Sequence, residues 1–125
     1  MARSLVPAVS PMAATVGYSR AVRDGDHVYV AGTAPIGAED TDDPYTQAKR
    51  ALEIVVAALT EVGATPADVV RTRAYLTRAE SWEAVGRAHG EVFGDVRPAS
   101  AFVVVASLLD PRWLVEFEAD AILHR

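Results

Sequence analysis

Arg97-Pro98-Ala99-Ser100-Ala101-Phe102-Val103-Val104-Val105, a loop carrying Asp110-Pro111, then Trp113-Leu114-Val115-Glu116-Phe117-Glu118-Ala119-Asp120-Ala121: the reading of this stretch decides the fold. Its first part is a short β-branched and apolar run, which reads as a buried strand. Its second part alternates with period 2. Val115, Phe117, Ala119 and Ala121 share one face of an extended chain, and Glu116, Glu118 and Asp120 share the other. Three acids in a row beside buried strands need either water or cations in front of them.

Cations stand on a strand upstream. Residues 69–77 read as extended, with Arg71, Arg73 and Tyr75 on one side and Val70, Thr72, Ala74 and Leu76 on the other. If the two strands share a sheet, Arg71 and Arg73 neutralise the acids, and that role explains both charge rows together.

Helices flank this strand. Asp43 is a good N-cap and Pro44 a good first helical residue, and Gly63 ends the helix they start. Its apolar stripe is Ala48, Leu52, Val55, Leu59 and Val62. Thr65-Pro66 caps a single turn. A second helix spans residues 81–93, with Ser81 as N-cap, Glu83 in its first turn and Gly94 beyond its end. Trp82, Val85, Gly86, His89, Val92 and Phe93 lie on one stripe of it.

Toward the N-terminus, Gly17-Tyr18-Ser19-Arg20-Ala21 opens a strand, Asp24-Gly25-Asp26 is a turn, and residues 27–32 return as a hairpin. Pro7 and Pro11 interrupt what precedes, so residues 1–15 are expected to be irregular or poorly ordered. The order is ββ-α-β-α-ββ, with no linker or low-complexity segment, in one domain spanning 1–125. An α+β fold follows: a mixed sheet with two helices on one face. The other face is part charged and part apolar, through Leu114, Phe102 and the run 101–105. A face of that kind predicts burial against further copies of the chain.

Composition excludes several function classes. The 125 residues carry 12 Lys and Arg against 17 Asp and Glu, a net charge of −5, where a nucleic-acid binder needs a basic patch. There is no cysteine, hence no disulfide, thiolate nucleophile or cysteine-based metal site. His27, His89 and His124 show no ligand spacing, so no metal or cofactor is expected. No stretch has transmembrane length and no signal peptide is visible, which points to a cytoplasmic protein without membrane contact.

Taken together and in order, these motifs resemble the YjgF/Rid family, also known as endoribonuclease L-PSP, over roughly residues 15–123. Gly-Tyr-Ser-x-Ala at 17–21 and the strand ending Ala31-Gly32, followed by Pro35, are similar to its N-terminal elements. Pro98-Ala99, an apolar strand, Pro111 and Val115-Glu116-Phe117-Glu118-Ala119 are similar to its C-terminal signature. The resemblance implies a homotrimer whose sheets form a central barrel, with clefts between subunits. In the family's deaminases such a cleft hydrolyses a 2-imino or 2-enamino acid to a 2-keto acid and ammonia. An arginine clamps the substrate carboxylate, and here that position is Ser100. A hydroxyl cannot make the two-pronged contact of guanidinium, a loss on the order of 3 kcal/mol against a buried anion. The resemblance therefore implies a member of a subgroup without the clamp. Such a member acts on an imine, enamine or related small metabolite, with 2-imino acid deamination in doubt; the alternative is a non-catalytic trimeric module that binds a small ligand or a protein. The RNA cleavage claimed for some relatives does not suit the acidic charge.

By the same resemblance Glu116 positions the water, and Tyr18 borders the cleft. Arg73 is the arginine that would replace the missing clamp. His89 stands where the family often has a tyrosine, and Gly86 where an asparagine is common; both departures reshape one helix face. With Glu116 in reach, His89 would be an acid or base. Ser100 and Phe102 complete the expected lining. Ser100 has no histidine near it in sequence, so nothing in the sequence makes it a nucleophile.

Overall fold

The computed structural model describes residues 3–124. Six strands form one sheet: β1 (Arg3–Val6), β2 (Ala21–Asp24), β3 (His27–Thr33), β4 (Val69–Leu76), β5 (Ala99–Val104) and β6 (Val115–Ile122), in the spatial order β1-β2-β3-β6-β4-β5. Every neighbouring pair is antiparallel except β4 and β5. That pair is parallel because a helix, α3 (Trp82–Phe93), carries the chain back across the sheet between them. The other long helix is α2 (Pro44–Glu61), and a single turn, α1 (Ala13–Val16), precedes β2. The expected α+β architecture, a mixed sheet with both long helices on one face, is what the chain adopts.

The core lies between that helix pair and the sheet. β6 reads buried, half-exposed, buried throughout, so Val115, Phe117, Ala119 and Ala121 meet the helices while Glu116, Glu118 and Asp120 face away. Against them α2 places Ala48, Ala51, Leu52, Val55 and Leu59. Asp43 caps α2 by accepting from the Thr46 N–H at 3.3 Å, and Gly63 leaves it in the left-handed region at φ 83°. Thr65 and Asp68 form the capping box of the 3-10 turn that follows.

Five expectations need correction. The first is irregular structure through residue 15: Arg3–Val6 forms β1, and Val6 is buried. The short strand is invisible in sequence because its stability comes from the β2 ladder rather than from its own pattern. Met1 and Ala2 lie outside the described residues. The second concerns β5, which is not buried. It is the sheet edge, with Ala99, Ser100, Ala101, Val103 and Val104 exposed, because neither helix reaches past it. The third is Val70, which falls on the exposed side, since the β4–β6 register shifts between Val69 and Arg71 and puts Val69 into the core instead. The fourth is α3, whose stripe begins at Val85. Trp82 is 58% exposed, and Ser81 ends a preceding 3-10 turn without capping the helix through its side chain. Leu114, read as part of the outer face, is buried.

One buried polar side chain ties the loops to the helices. Gln47 on α2 is fully buried. Its amide donates to the carbonyls of Thr41 at 2.8 Å and Arg112 at 2.9 Å, and its oxygen accepts from the Leu114 N–H at 2.8 Å. The loop before α2 and the loop before β6 are thereby fixed to each other. Gln47→Leu keeps the volume but strands three backbone groups, the Leu114 N–H among them buried, and is expected to cost about 3 kcal/mol in urea unfolding. A loss below about 1 kcal/mol would show that water takes over the glutamine's role.

Candidate functional site

The seven side chains expected at the site divide between the two faces of the sheet. Alternation decides this: Glu116 and Arg73 point to the open face, while Ser100 and Phe102, paired in register with Thr72 and Ala74, point to the helix side.

On the open face, Glu116 occupies a niche that Gly32 makes possible. A β-carbon at Gly32 would lie 3.1 Å from Glu116 Oε2, so any larger residue there would press on the carboxylate. A register shift in the β3–β6 ladder between Val30 and Thr33 accompanies that close approach. Burial pushes the Glu116 carboxyl above the usual carboxylate range. The nearby Arg20 guanidinium opposes the shift, and the negative charge of Glu118 adds to it. Arg20 donates through Nη2 to the carbonyl of Gly32, while its Nε is buried with no hydrogen-bond partner in the structure. Burial lowers the Arg20 pKa, against the pull of Tyr18 and Glu116.

Arg73 is engaged elsewhere. Its Nη1 lies 3.7 Å from Glu118 and 3.8 Å from Asp120, and the Tyr75 hydroxyl donates to Glu118 at 2.7 Å, a bond that holds the phenol's pKa up. Arg73 and Tyr18 line a shallow hollow of about 430 Å³, together with Tyr29, Glu118 and Asp120; Glu116 is not among its walls.

On the helix side, at the β5 edge, a second cluster forms. His89 Nε2 lies 2.8 Å from Thr72 Oγ1, and Thr72 Oγ1 lies 2.8 Å from Ser100 Oγ. The imidazole is packed among Phe93, Phe102 and Phe117, with ring centroids 4.8, 5.8 and 6.2 Å away. Burial in this aromatic setting depresses the His89 pKa, so the ring is neutral at pH 7. Gly86 faces Phe102, which would stand 3.9 Å from an added β-carbon.

Within one chain, then, Glu116 and His89 lie on opposite sides of the sheet, and His89 has no direct contact with Glu116. Two residues of these clusters escape sequence reading. Arg20 occupies the variable position of Gly-Tyr-Ser-x-Ala, and nothing local announces that its side chain crosses to β3. Thr72 carried a faint signal, a hydroxyl among the apolar helix-facing positions Ala74 and Leu76. Among the described residues no group of His, Cys, Asp or Glu is arranged to hold a metal, and no helix is long and apolar enough to cross a membrane.

Comparison with known proteins places this geometry among relatives. The endoribonuclease L-PSP family profile matches residues 8–123. An uncharacterized protein of Streptomyces coelicolor is 41% identical over 90% of this chain and 86% of its own, and a RutC family protein of Pyrococcus abyssi is 36% identical over 83% and 84%. In three dimensions the chain is similar to a Mycobacterium tuberculosis member of the YjgF/YER057c/UK114 family. That similarity has a TM-score of 0.91 and 45% identity, and covers 98% of this chain and 100% of the other.

The displaced histidine pKa has a measurable consequence. A histidine whose folded pKa lies below its unfolded value of 6.5 contributes stability that is complete above 6.5 and is lost as pH falls through 6.5 toward the folded pKa. His89→Gln keeps a hydrogen-bonding partner for Thr72 and removes the titration. Its unfolding free energy should vary less between pH 7 and pH 5 than that of the wild type. Equal slopes would mean that His89 is solvated and titrates normally.

Proposed function

Because the chain belongs to the endoribonuclease L-PSP family, the YjgF/Rid proteins, we propose that it hydrolyses the C=N bond of a small imine, or of the enamine in equilibrium with it, in a cleft between copies of the chain. The observation that carries this reading is Glu116: a carboxylate drawn into a glycine-made niche, with its pKa raised by burial and a guanidinium close by. A carboxyl in that setting suits both halves of the reaction. As a base it takes a proton from water while the water oxygen bonds to the electrophilic carbon. As an acid it returns that proton to the nitrogen and gives a carbinolamine. It then takes the carbinol O–H proton and passes it to the same nitrogen as the carbon–nitrogen bond breaks, so that ammonia or an amine departs and a carbonyl is left.

The cleft is placed between copies for a physical reason. Leu5, Tyr29 and Val103 lie exposed on the sheet face that no helix covers, and such a face favours association. In the trimer we propose, the β5 edge of one copy, with Ser100, Phe102, Gly86 and His89, stands opposite Tyr18 and Glu116 of the next. On this reading His89 belongs to the far wall, and Tyr18 borders the niche from its own chain. Arg73, held by two acids, is a poor carboxylate clamp, so 2-imino acids are poor substrates. A non-catalytic binding module is the second reading. It is favoured by the separation of Glu116 and His89 within a chain.

Two measurements test the proposal. Light scattering should give a mass near 40 kDa, about three chains of 13.3 kDa; a monomer at micromolar concentration would remove the cleft. Glu116→Gln should abolish hydrolysis of the true substrate and leave the assembly intact. Its stability supplies a control. A carboxyl with a raised folded pKa contributes stability that is present below its unfolded value and lost as pH rises through the folded pKa. The glutamine variant should therefore be more stable than wild type at pH 7, with no such advantage at pH 4. A variant that loses the trimer, or keeps full turnover, would assign Glu116 a structural role. Freshly generated 2-iminobutyrate should release ammonia little faster than without protein, and Ser100→Arg should raise that rate.

A further inference from the structure

The Thr72 hydroxyl joins an exposed serine to a buried, neutral imidazole, and hydrolysis of an imine by Glu116 makes no use of that connection. Thr72 Oγ1 lies 2.8 Å from both His89 Nε2 and Ser100 Oγ; with Thr72 donating to Ser100, the Nε2–H tautomer of His89 donates to Thr72. Both hydroxyl protons rotate, so the opposite polarity fits the same atoms. Ser100 then donates to Thr72, and Thr72 donates to the Nε2 lone pair. In that state the serine proton has a continuous path to a base.

The surroundings suit a nucleophile. Ser100 is exposed on the edge strand, while the base behind it is shielded by Phe93, Phe102 and Phe117. The Val105 N–H reaches the Leu76 carbonyl at 2.8 Å, so odd-numbered N–H groups of β5 face β4 and those of Ser100 and Phe102 face outward. Among the described residues β5 pairs only with β4, which leaves the Ser100 N–H available to a developing oxyanion; the Phe102 N–H lies two residues, about 7 Å, further along the strand.

We propose that Ser100 is an acyl-accepting nucleophile, activated through Thr72 by His89, for small uncharged acyl donors such as esters. An uncharged donor suits the groups around Ser100 within its own chain, Thr72, His89, Phe102 and Gly86, none of them ionised at pH 7. In the first step the Ser100 Oγ–carbonyl carbon bond forms. The serine proton passes to Thr72 as the Thr72 proton passes to Nε2. The carbon–oxygen bond to the alcohol breaks, and the alcohol leaves with the proton returned along the same path. In the second step a water oxygen bonds to the acyl carbon, the Ser100 ester bond breaks, and the carboxylic acid departs with the serine hydroxyl restored. His89 touches no substrate and is a positioning residue and proton acceptor at one remove.

The test treats the intact protein with a fluorophosphonate and follows adduct mass and site. p-Nitrophenyl acetate serves as the acyl donor. We expect one adduct per chain, on Ser100, and none in Ser100→Ala. Thr72→Val fills the same space without a hydroxyl and should slow labelling by about tenfold or more, and Thr72→Ser should restore it. The groups packed on His89 are Thr72 and three phenylalanines, all uncharged, so the labelling rate should stay level down to pH 6.5 and decline only below the ordinary histidine value. Labelling elsewhere, labelling of Thr72→Val at the wild-type rate, or p-nitrophenol release unchanged in Ser100→Ala would each overturn the proposal. No imine enters the experiment, so its outcome is independent of the hydrolysis assigned to Glu116.

Discussion

β6 is hydrogen-bonded along both edges, to β3 and to β4, and its side chains must leave alternately for two different environments. Val115, Phe117, Ala119 and Ala121 gain most by meeting α2 and α3, at roughly 25 cal/mol for each Å² of apolar surface removed from water. That requirement sets the register of the central ladders, since a slip by one residue would drive three acids into the core. The charged row on the other face is therefore a by-product of the same alternation. Arg73 and Tyr75 on β4 answer it with one ion-pair group around Glu118 and Asp120. Those pairs are half-exposed and contribute little stability; they define which carboxylate stays free. Glu116, one step along, has neither partner and sits instead against Gly32.

Where the physics is local, the sequence is legible. Asp43-Pro44 and Gly63 bound α2 because caps are written in the residues that make them, and the β6 alternation names its own buried face. Long-range contacts are not written that way. Arg20 reaches the Gly32 carbonyl from the position just before β2, and Thr72 meets His89 and Ser100 from two further elements. An apolar run such as 101–105 states that it is sticky, but not whether its own helices or another surface will cover it. Exposure of β5 follows only from its place at the sheet edge, and that place depends on the α3 crossover. The same limit explains Trp82, whose helical phase fits the stripe but whose position one turn early lies beyond the core.

The two side-chain clusters differ in how water treats them. Glu116 is a carboxyl held where solvation is incomplete, so burial favours its neutral form and raises its pKa. His89 is a base kept neutral by aromatic rings and connected outward through hydroxyls alone. One sheet thus carries an acid on one face and a base on the other, separated by the β-strand backbone. Within one chain each shift comes mainly from burial and not from the other group's charge.

The position of β6 in the chain has a kinetic side. β1, β2 and β3 form one ribbon, β4 and β5 another, and no ladder joins the two until β6 enters between them. It follows all the other strands in chain order, so the pairings that complete the sheet are closed by residues far apart in sequence. Topologies of that kind fold slowly, because the loop entropy is lost before the contacts are gained. Until insertion, the inner edges of β3 and β4 present open backbone donors and acceptors to any passing strand. A nascent chain halted before Val115 is thus two sticky ribbons around an unfilled slot. Supplying residues 115–122 in trans as a separate peptide would complete the fold by strand addition.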